Sequence, residues 1–348
     1  MISSQRLSAS LFLGGFSILV IPIILFWPNM SLDWLGVVSL SGAIVINSPH
    51  FAASYILFYR RMFGGDLTQT EKLRYWVAGV YIPLILLSYL AVCMKLKSPE
   101  LLGLAFTLMV ITVGWHYAKQ GFGMLMMDSA KKRSYFDPRS RNILLYNTYA
   151  AWLVNFLASC YFSNRMLKDY FGVPVQLLPV QLPLLLTAVA VFAITTVFTI
   201  QVLVRKQRRQ PIAAAGLTGY LASTYLWLPL LVHPVALLII PAFHSLQYLY
   251  VVSIFEGNRA KHLANAKSGG AKISPRLRMA LFAVAALALG ALMFDFGPHW
   301  STAFFMMDGN TATSYFLFWV FVNVHHYFID SVLWRKENPE AVKYLFAA

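Results

Sequence analysis

The sequence predicts an all-α, polytopic integral membrane bundle of about ten transmembrane helices, and three observations predict it. Hydrophobic residues make up 59% of the 348 and charged residues only 12%, about half the charged share of a soluble domain, and mean hydropathy is +0.63. The apolar residues gather into ten runs, each able to cross a bilayer at about 20 residues per helix. The basic residues crowd into alternate loops between those runs.

The runs cover 9–27, 34–59, 75–95, 101–127, 143–163, 180–204, 211–232, 234–256, 277–296 and 312–334. The first resembles a signal-peptide core but has no A-x-A cleavage site, so it reads as the first span. Short connections, such as 28–33 and the turn at His233-Pro234, make neighbouring spans antiparallel. Residues 257–276, "GNRAKHLANAKSGGAKISPR", form a mobile Gly/Ser/Lys-rich loop. No segment reads as a soluble domain, so residues 1–348 form a single transmembrane domain.

The formal net charge is +15, and its placement decides its meaning. The N-terminus, the loops 60–74, 128–142, 205–210 and 257–278, and the C-terminus hold 23 Lys and Arg residues. The opposite side holds 4, namely Lys95, Lys97, Arg165 and Lys168, while Lys119 lies within a span. The positive-inside rule puts both termini in the cytoplasm, in a bacterial-type inner membrane, with the basic loops facing anionic lipid. The charge sets topology and is no nucleic-acid footprint. Cys93 and Cys160 sit in apolar runs, match no disulfide or zinc spacing, and read as core residues.

His233, His262 and His299 lie in loops and read as surface residues. Five histidines lie in spans: His50, His116, His244 and the pair His325–His326. Their distance from the first charged residue at the cytoplasmic end measures depth. His50 precedes Arg60, His116 precedes Asp128, His244 precedes Glu256 and His326 precedes Arg335 by steps worth about 14–18 Å at 1.5 Å per residue, close to the midplane of a hydrocarbon layer roughly 30 Å thick. All four spans are even-numbered and run from outside to inside, so four helices deliver imidazole to one layer. Any one of these histidines reads most plainly as a polar bridge between helices. Four at one depth read as a metal site, because ionisable groups there are costly and usually functional, and imidazole is a common ligand for iron, copper and zinc.

Polar neighbours strengthen that reading. Asn47 stands three before His50 and Asn323 three before His326; Lys119 and Gln120 follow His116 by three and four; Gln247 and Tyr248 follow His244 likewise. Residues three or four apart share a helix face, as groups that orient imidazoles must. Asp330 follows His326 by four and can receive an imidazole N–H or neutralise Lys119. Two stacked haems would need histidine pairs at two depths, and the di-iron membrane desaturases need HxxxH and HxxHH clusters. With HH once and no HxxxH, the supply suits a single metal.

The stretches "SPHFA" at 48–52, "WHYAKQGFG" at 115–123, "AFHSLQY" at 242–248 and "VHHYFID" at 324–330 resemble, in order, motifs of the Brp/Blh family of membrane β-carotene dioxygenases. The resemblance covers four short motifs and marks a divergent relative. It implies iron(II) held by His50, His116 and His244, and O2-dependent cleavage of a lipophilic, carotenoid-like polyene. Where that family has a histidine four residues after the third motif's first, this chain has Tyr248, so a fourth ligand comes most simply from His325 or His326. Iron(II) is the expected cofactor, with another transition metal as the alternative. Asp330, Lys119 and Tyr248 become candidates for handling protons. A transporter or proton/metal pathway built on the intramembrane histidines with Lys119 and Asp330, and a haem-binding electron carrier, are the competing functions.

The charge asymmetry makes a direct prediction: reporters fused at the C-terminus and inserted in the 297–311 loop fall in opposite compartments. Equal signals from both would overturn the topology.

Overall fold

The structure is a computed structural model, which describes residues 42–166, 173–225, 236–265, 273–304 and 311–346 with a few isolated positions besides. Among them no strand forms, as expected where backbone groups find no water and must bond within their own segment. Nine helices are labelled here: α1 (Ser48–Gly64), α2 (Gln69–Leu96), α3 (Pro99–Lys131), α4 (Pro138–Met166), α5 (Leu182–Arg209), α6 (Ala214–Tyr225), α7 (Ala236–Asn265), α8 (Pro275–Phe304) and α9 (Thr311–Leu333).

Among the described residues, six helices are long and apolar enough to cross a membrane: α2, α3, α4, α5, α8 and α9. Most of the expected run 9–27, residues 34–41 of the second run, 226–232 of the seventh, His233, Pro234 and loop residues 266–272 lie outside the described residues. The all-helical class therefore stands, and six of the ten expected spans have, among the described residues, a helix long and apolar enough to cross a membrane.

Local sequence explains the joints. A wide π-turn, Ala43–Asn47, precedes α1, and Pro49 occupies its first turn, where a missing N–H breaks no helix bond. Helix α2 begins with a reciprocal capping box, Thr68 with Glu71, which satisfies two otherwise orphaned donors. Arg61 pairs with the same Glu71 at 3.6 Å. Further along, α2 widens into a π-turn over Val77–Tyr81, where the Ile82 N–H bonds to the Val77 carbonyl. The next donor in that register would be Pro83, which has no N–H. The Ala78 carbonyl instead meets His325 Nε2 at 3.1 Å. Gly79, whose α-helical donor would also be Pro83, accepts the Tyr59 hydroxyl at 2.8 Å.

The chain forms two compact units, one of residues 1–40, 110–168 and 176–247, the other of 41–109, 169–175 and 248–348. In the first, α4 packs along α5 and against α6 over a core containing Leu125, Leu144, Val202 and Tyr220. Asn147 ties three helices there: its amide donates to the Tyr220 and Tyr225 hydroxyls at 3.1 Å each, and its carbonyl accepts from Thr195 at 2.9 Å and Thr196 at 3.2 Å. Such bonds hold helices together where the hydrophobic effect cannot.

In the second unit, α8 packs on α1 and α9, and α9 packs on α1. Phe58, Tyr75, Ala78, Ile329 and Val332 form its core. At the basic end, the Arg60 guanidinium holds the Glu256 carboxylate with both terminal nitrogens. The closest approach is at Gly290, where an added Cβ would lie 2.7 Å from the Ser48 carbonyl carbon and 2.9 Å from the Pro49 nitrogen. Those are backbone atoms and cannot swing aside. Cys93 and Cys160 are both buried free thiols.

Gly290→Ala should therefore force α8 off the start of α1 and destabilise the protein by about 1–3 kcal/mol. Gly123→Ala, with nothing within 4 Å of its added Cβ, should not. Thermal unfolding of both variants in detergent checks this, and equal melting temperatures would refute it.

Candidate functional site

The buried polar cluster of the second unit is built on His50. Pro49 places this residue in the first turn of α1, and its ring centroid lies 4.5 Å from that of His326 on α9, edge to face. Phe51 closes on the same His326 ring at 4.7 Å. Tyr248 of α7 meets the His50 ring at 4.4 Å, and its hydroxyl donates to Asp330 Oδ1 at 3.0 Å. Two further donors reach that hydroxyl, Ser54 Oγ from α1 and the Trp334 indole N–H at 3.3 Å. The other Asp330 oxygen, Oδ2, stands 3.5 Å from His326 Nε2. A carboxylate set against one imidazole nitrogen fixes the ring's orientation and leaves the other nitrogen to act as a ligand.

The first unit holds a matching pair. His116 on α3 and His244 on α7 have ring centroids 4.8 Å apart, edge to face, and Tyr117 stacks on His244 at 3.8 Å. Pro241 lies inside α7 one turn before His244. The Gln120 amide donates to the His244 carbonyl at 3.3 Å and to Gln247 Oε1 at 3.2 Å; that Oε1 also accepts from Ser223 of α6 at 3.0 Å. Helix α6 comes this close because residue 121 is glycine: an added Cβ would collide with the Ser223 side chain. Gln120 and Gln247 therefore clamp the backbone that carries His244.

His325 takes no part in either pair. Its Nδ1 meets the Tyr55 hydroxyl at 2.8 Å and its Nε2 the Ala78 carbonyl at 3.1 Å. A carbonyl only accepts, so Nε2 carries the proton and Nδ1 accepts from Tyr55. With both nitrogens engaged, His325 bridges α9 to α1 and α2.

Lys119 is exposed, with its Nζ 5.0 Å from the centroid of Trp115; Asp330 is buried beside Tyr248 and His326. Asn323 turns back on its own helix, donating to the Trp319 carbonyl at 2.9 Å. Asn47 is buried in the π-turn that leads into α1. Ser54, Tyr117, Ser223 and Trp334 escaped the sequence reading. Ser54 follows His50 by four and Trp334 follows Asp330 by four, so the spacing that exposed Asp330 could have found both. Nothing local marks Ser223, which reaches Gln247 only through the packing of α6.

No family model, curated protein or solved structure matches this chain, so its function is argued from the chemistry of these residues. The Tyr248–Asp330 bond makes a first prediction about them. Tyr248→Phe leaves a buried carboxylate oxygen without its donor, costing about 1–3 kcal/mol. A double-mutant cycle with Asp330→Asn should show coupling of about 0.5–3 kcal/mol, and strictly additive losses would count against the contact.

Proposed function

We propose that this chain is a membrane-embedded, metal-dependent oxygenase that holds its metal through histidine, with His50 and His326 of the second unit and His116 and His244 of the first as the candidate ligands, and a divergent relative of the Brp/Blh dioxygenases. The observation that carries the reading is the doubling of one arrangement. Each unit sets two imidazoles from separate helices edge to face, at 4.5 Å and 4.8 Å between centroids. The donor chemistry fits, since imidazole nitrogens suit iron, copper and zinc, and the absence of thiolate from the set favours iron(II) over softer metals.

When bound, iron(II) would supply the activation of O2 toward a double bond of a lipophilic polyene. The chain's own residues do the rest. Asp330 orients His326. Tyr248, Ser54 and Trp334 hold that carboxylate in place, and Gln120 with Gln247 steady His244. The apolar helices keep water away and admit a substrate dissolved in lipid.

A specific observation favours a second reading, a proton or metal pathway. Ser54, Tyr248 and Asp330 form a continuous hydrogen-bonded run that ends beside His326. A pathway moves charge through such a run without retaining a stoichiometric metal.

Metal analysis of purified protein separates the readings: one tightly held metal per chain with no haem absorption is expected. His326→Ala should lose most of it while His325→Ala keeps it, and Asp330→Asn should weaken retention about 10–100-fold. Full metal in the His326→Ala protein would sink the proposal. Charge movement across vesicles by a metal-free protein would establish the pathway instead.

A further inference from the structure

Lys119 is the one Lys or Arg that lies well inside an apolar run of the sequence, and its surroundings are peculiar for a lysine. Helix α3 has 33 residues, Pro99–Lys131, about 50 Å at 1.5 Å per residue, with Trp115 at its middle. Helical side chains lean toward the N-terminus of their helix, and Lys119 does so, its Nζ resting 5.0 Å from the centroid of Trp115 one turn back. The side chain thus runs toward the middle of the helix. A lysine that snorkels runs the other way, toward the nearer surface. Among the described residues its partner is the Trp115 ring, and no carboxylate pairs with it. A ring face offsets part of the cost of an ammonium at this depth, but it supplies no counter-charge.

The ring belongs to a built platform. Gly114 leaves room for Trp152 of α4, 3.4 Å from where a Cβ would stand, and the Trp152 indole donates to the Ile111 carbonyl at 2.9 Å. Trp115 meets Trp152 edge to face at 5.3 Å and stacks on Tyr149 at 4.8 Å with their planes 6° apart. Tyr149, like Lys119, is exposed. Two half-buried indoles and an exposed phenol that end in an exposed ammonium suit a long apolar chain with a single anionic end.

We propose that α3 and α4 carry a binding site for a carboxylate-bearing lipophile, its carboxylate received by Lys119 and its chain lying on Trp115, Tyr149 and Trp152. Nothing in this site requires the metal. The probe is parinaric acid, a fluorescent tetraene fatty acid that accepts energy from nearby tryptophan, titrated into the purified full-length protein in detergent. Saturable energy transfer is expected, with the methyl ester binding at least about tenfold more weakly for want of the charge. Lys119→Met should weaken the acid by a similar factor and Lys119→Arg should not. Metal removal by a chelator should leave binding unchanged, which keeps this result separate from the fate of the metal proposal. Equal affinity for acid and ester in the unaltered protein would overturn the site, with no dependence on whether a variant folds. Acid binding by Lys119→Met at full strength would overturn it too, as would a disulfide joining two Lys119→Cys chains in native membranes, because a second copy would then cover the face.

Discussion

Inside a hydrocarbon layer a polar group has no water to turn to, and a donor or acceptor unmatched within the protein costs several kcal/mol. That constraint orders the packing of both units. The Asn147 amide reaches four hydroxyls on α5 and α6, while the Tyr248 hydroxyl gathers Ser54, Trp334 and Asp330 from α1 and the α9 end of the chain. In each case one side chain with several bonding sites stands where helices meet, and the helices are placed by what it must bond. Apolar contacts alone would let them slide, because lipid tails solvate leucine as well as another helix does.

Prolines create some of the demand that these side chains meet. Pro83 deprives α2 of a donor, the helix widens into a π-turn, and the carbonyls of Ala78 and Gly79 are turned over to His325 and Tyr59. Glycines then set how closely helices approach. Gly290 lets α8 lie against the backbone that carries His50, and Gly121 lets α6 deliver Ser223 to Gln247. Backbone irregularity next to a polar side chain thus recurs, and it recurs at the histidines: Pro49 immediately precedes His50, and Pro241 lies one turn before His244.

Much of this was legible in the sequence because membrane helices obey simple arithmetic. The charge distribution and the length of the apolar runs gave the class, and counting 1.5 Å per residue from the nearest charge put four histidines at one depth. Direction around the helix was harder to read. His325 and His326 share that depth, yet adjacent residues point about 100° apart, so they could not both face His50. Only the position of the Ala78 carbonyl, itself set by a π-turn in another helix, shows which one turns away. Depth also matched Lys119 and Asp330 in the sequence, but depth carries no direction: Lys119 leans over Trp115 and Asp330 turns to Tyr248. Contacts such as Ser223 with Gln247 depend on where a whole helix lands and leave no local trace.

The regularity that remains is a register. Ser54 follows His50 by four residues, Gln120 follows His116, Tyr248 follows His244 and Asp330 follows His326, each displaced about 6 Å along its helix on the face of its histidine. Within the second unit Ser54, Tyr248 and Asp330 bond to one another; within the first, Gln120 bonds to the neighbouring Gln247 and through it to Ser223. Each histidine pair therefore stands one turn from a set of hydrogen bonds that its own helices share with a third, α7 in the second unit and α6 in the first. Such a layer fixes the rotation of every helix that enters it, because a helix turned by one residue would carry its polar side chain about 100° out of reach. The edge-to-face contacts between the paired rings, at 4.5 and 4.8 Å, are too weak to hold helices in register. The rigidity is supplied by the polar layer, and the imidazoles inherit it, which is the preorganisation a metal site in a helical bundle requires.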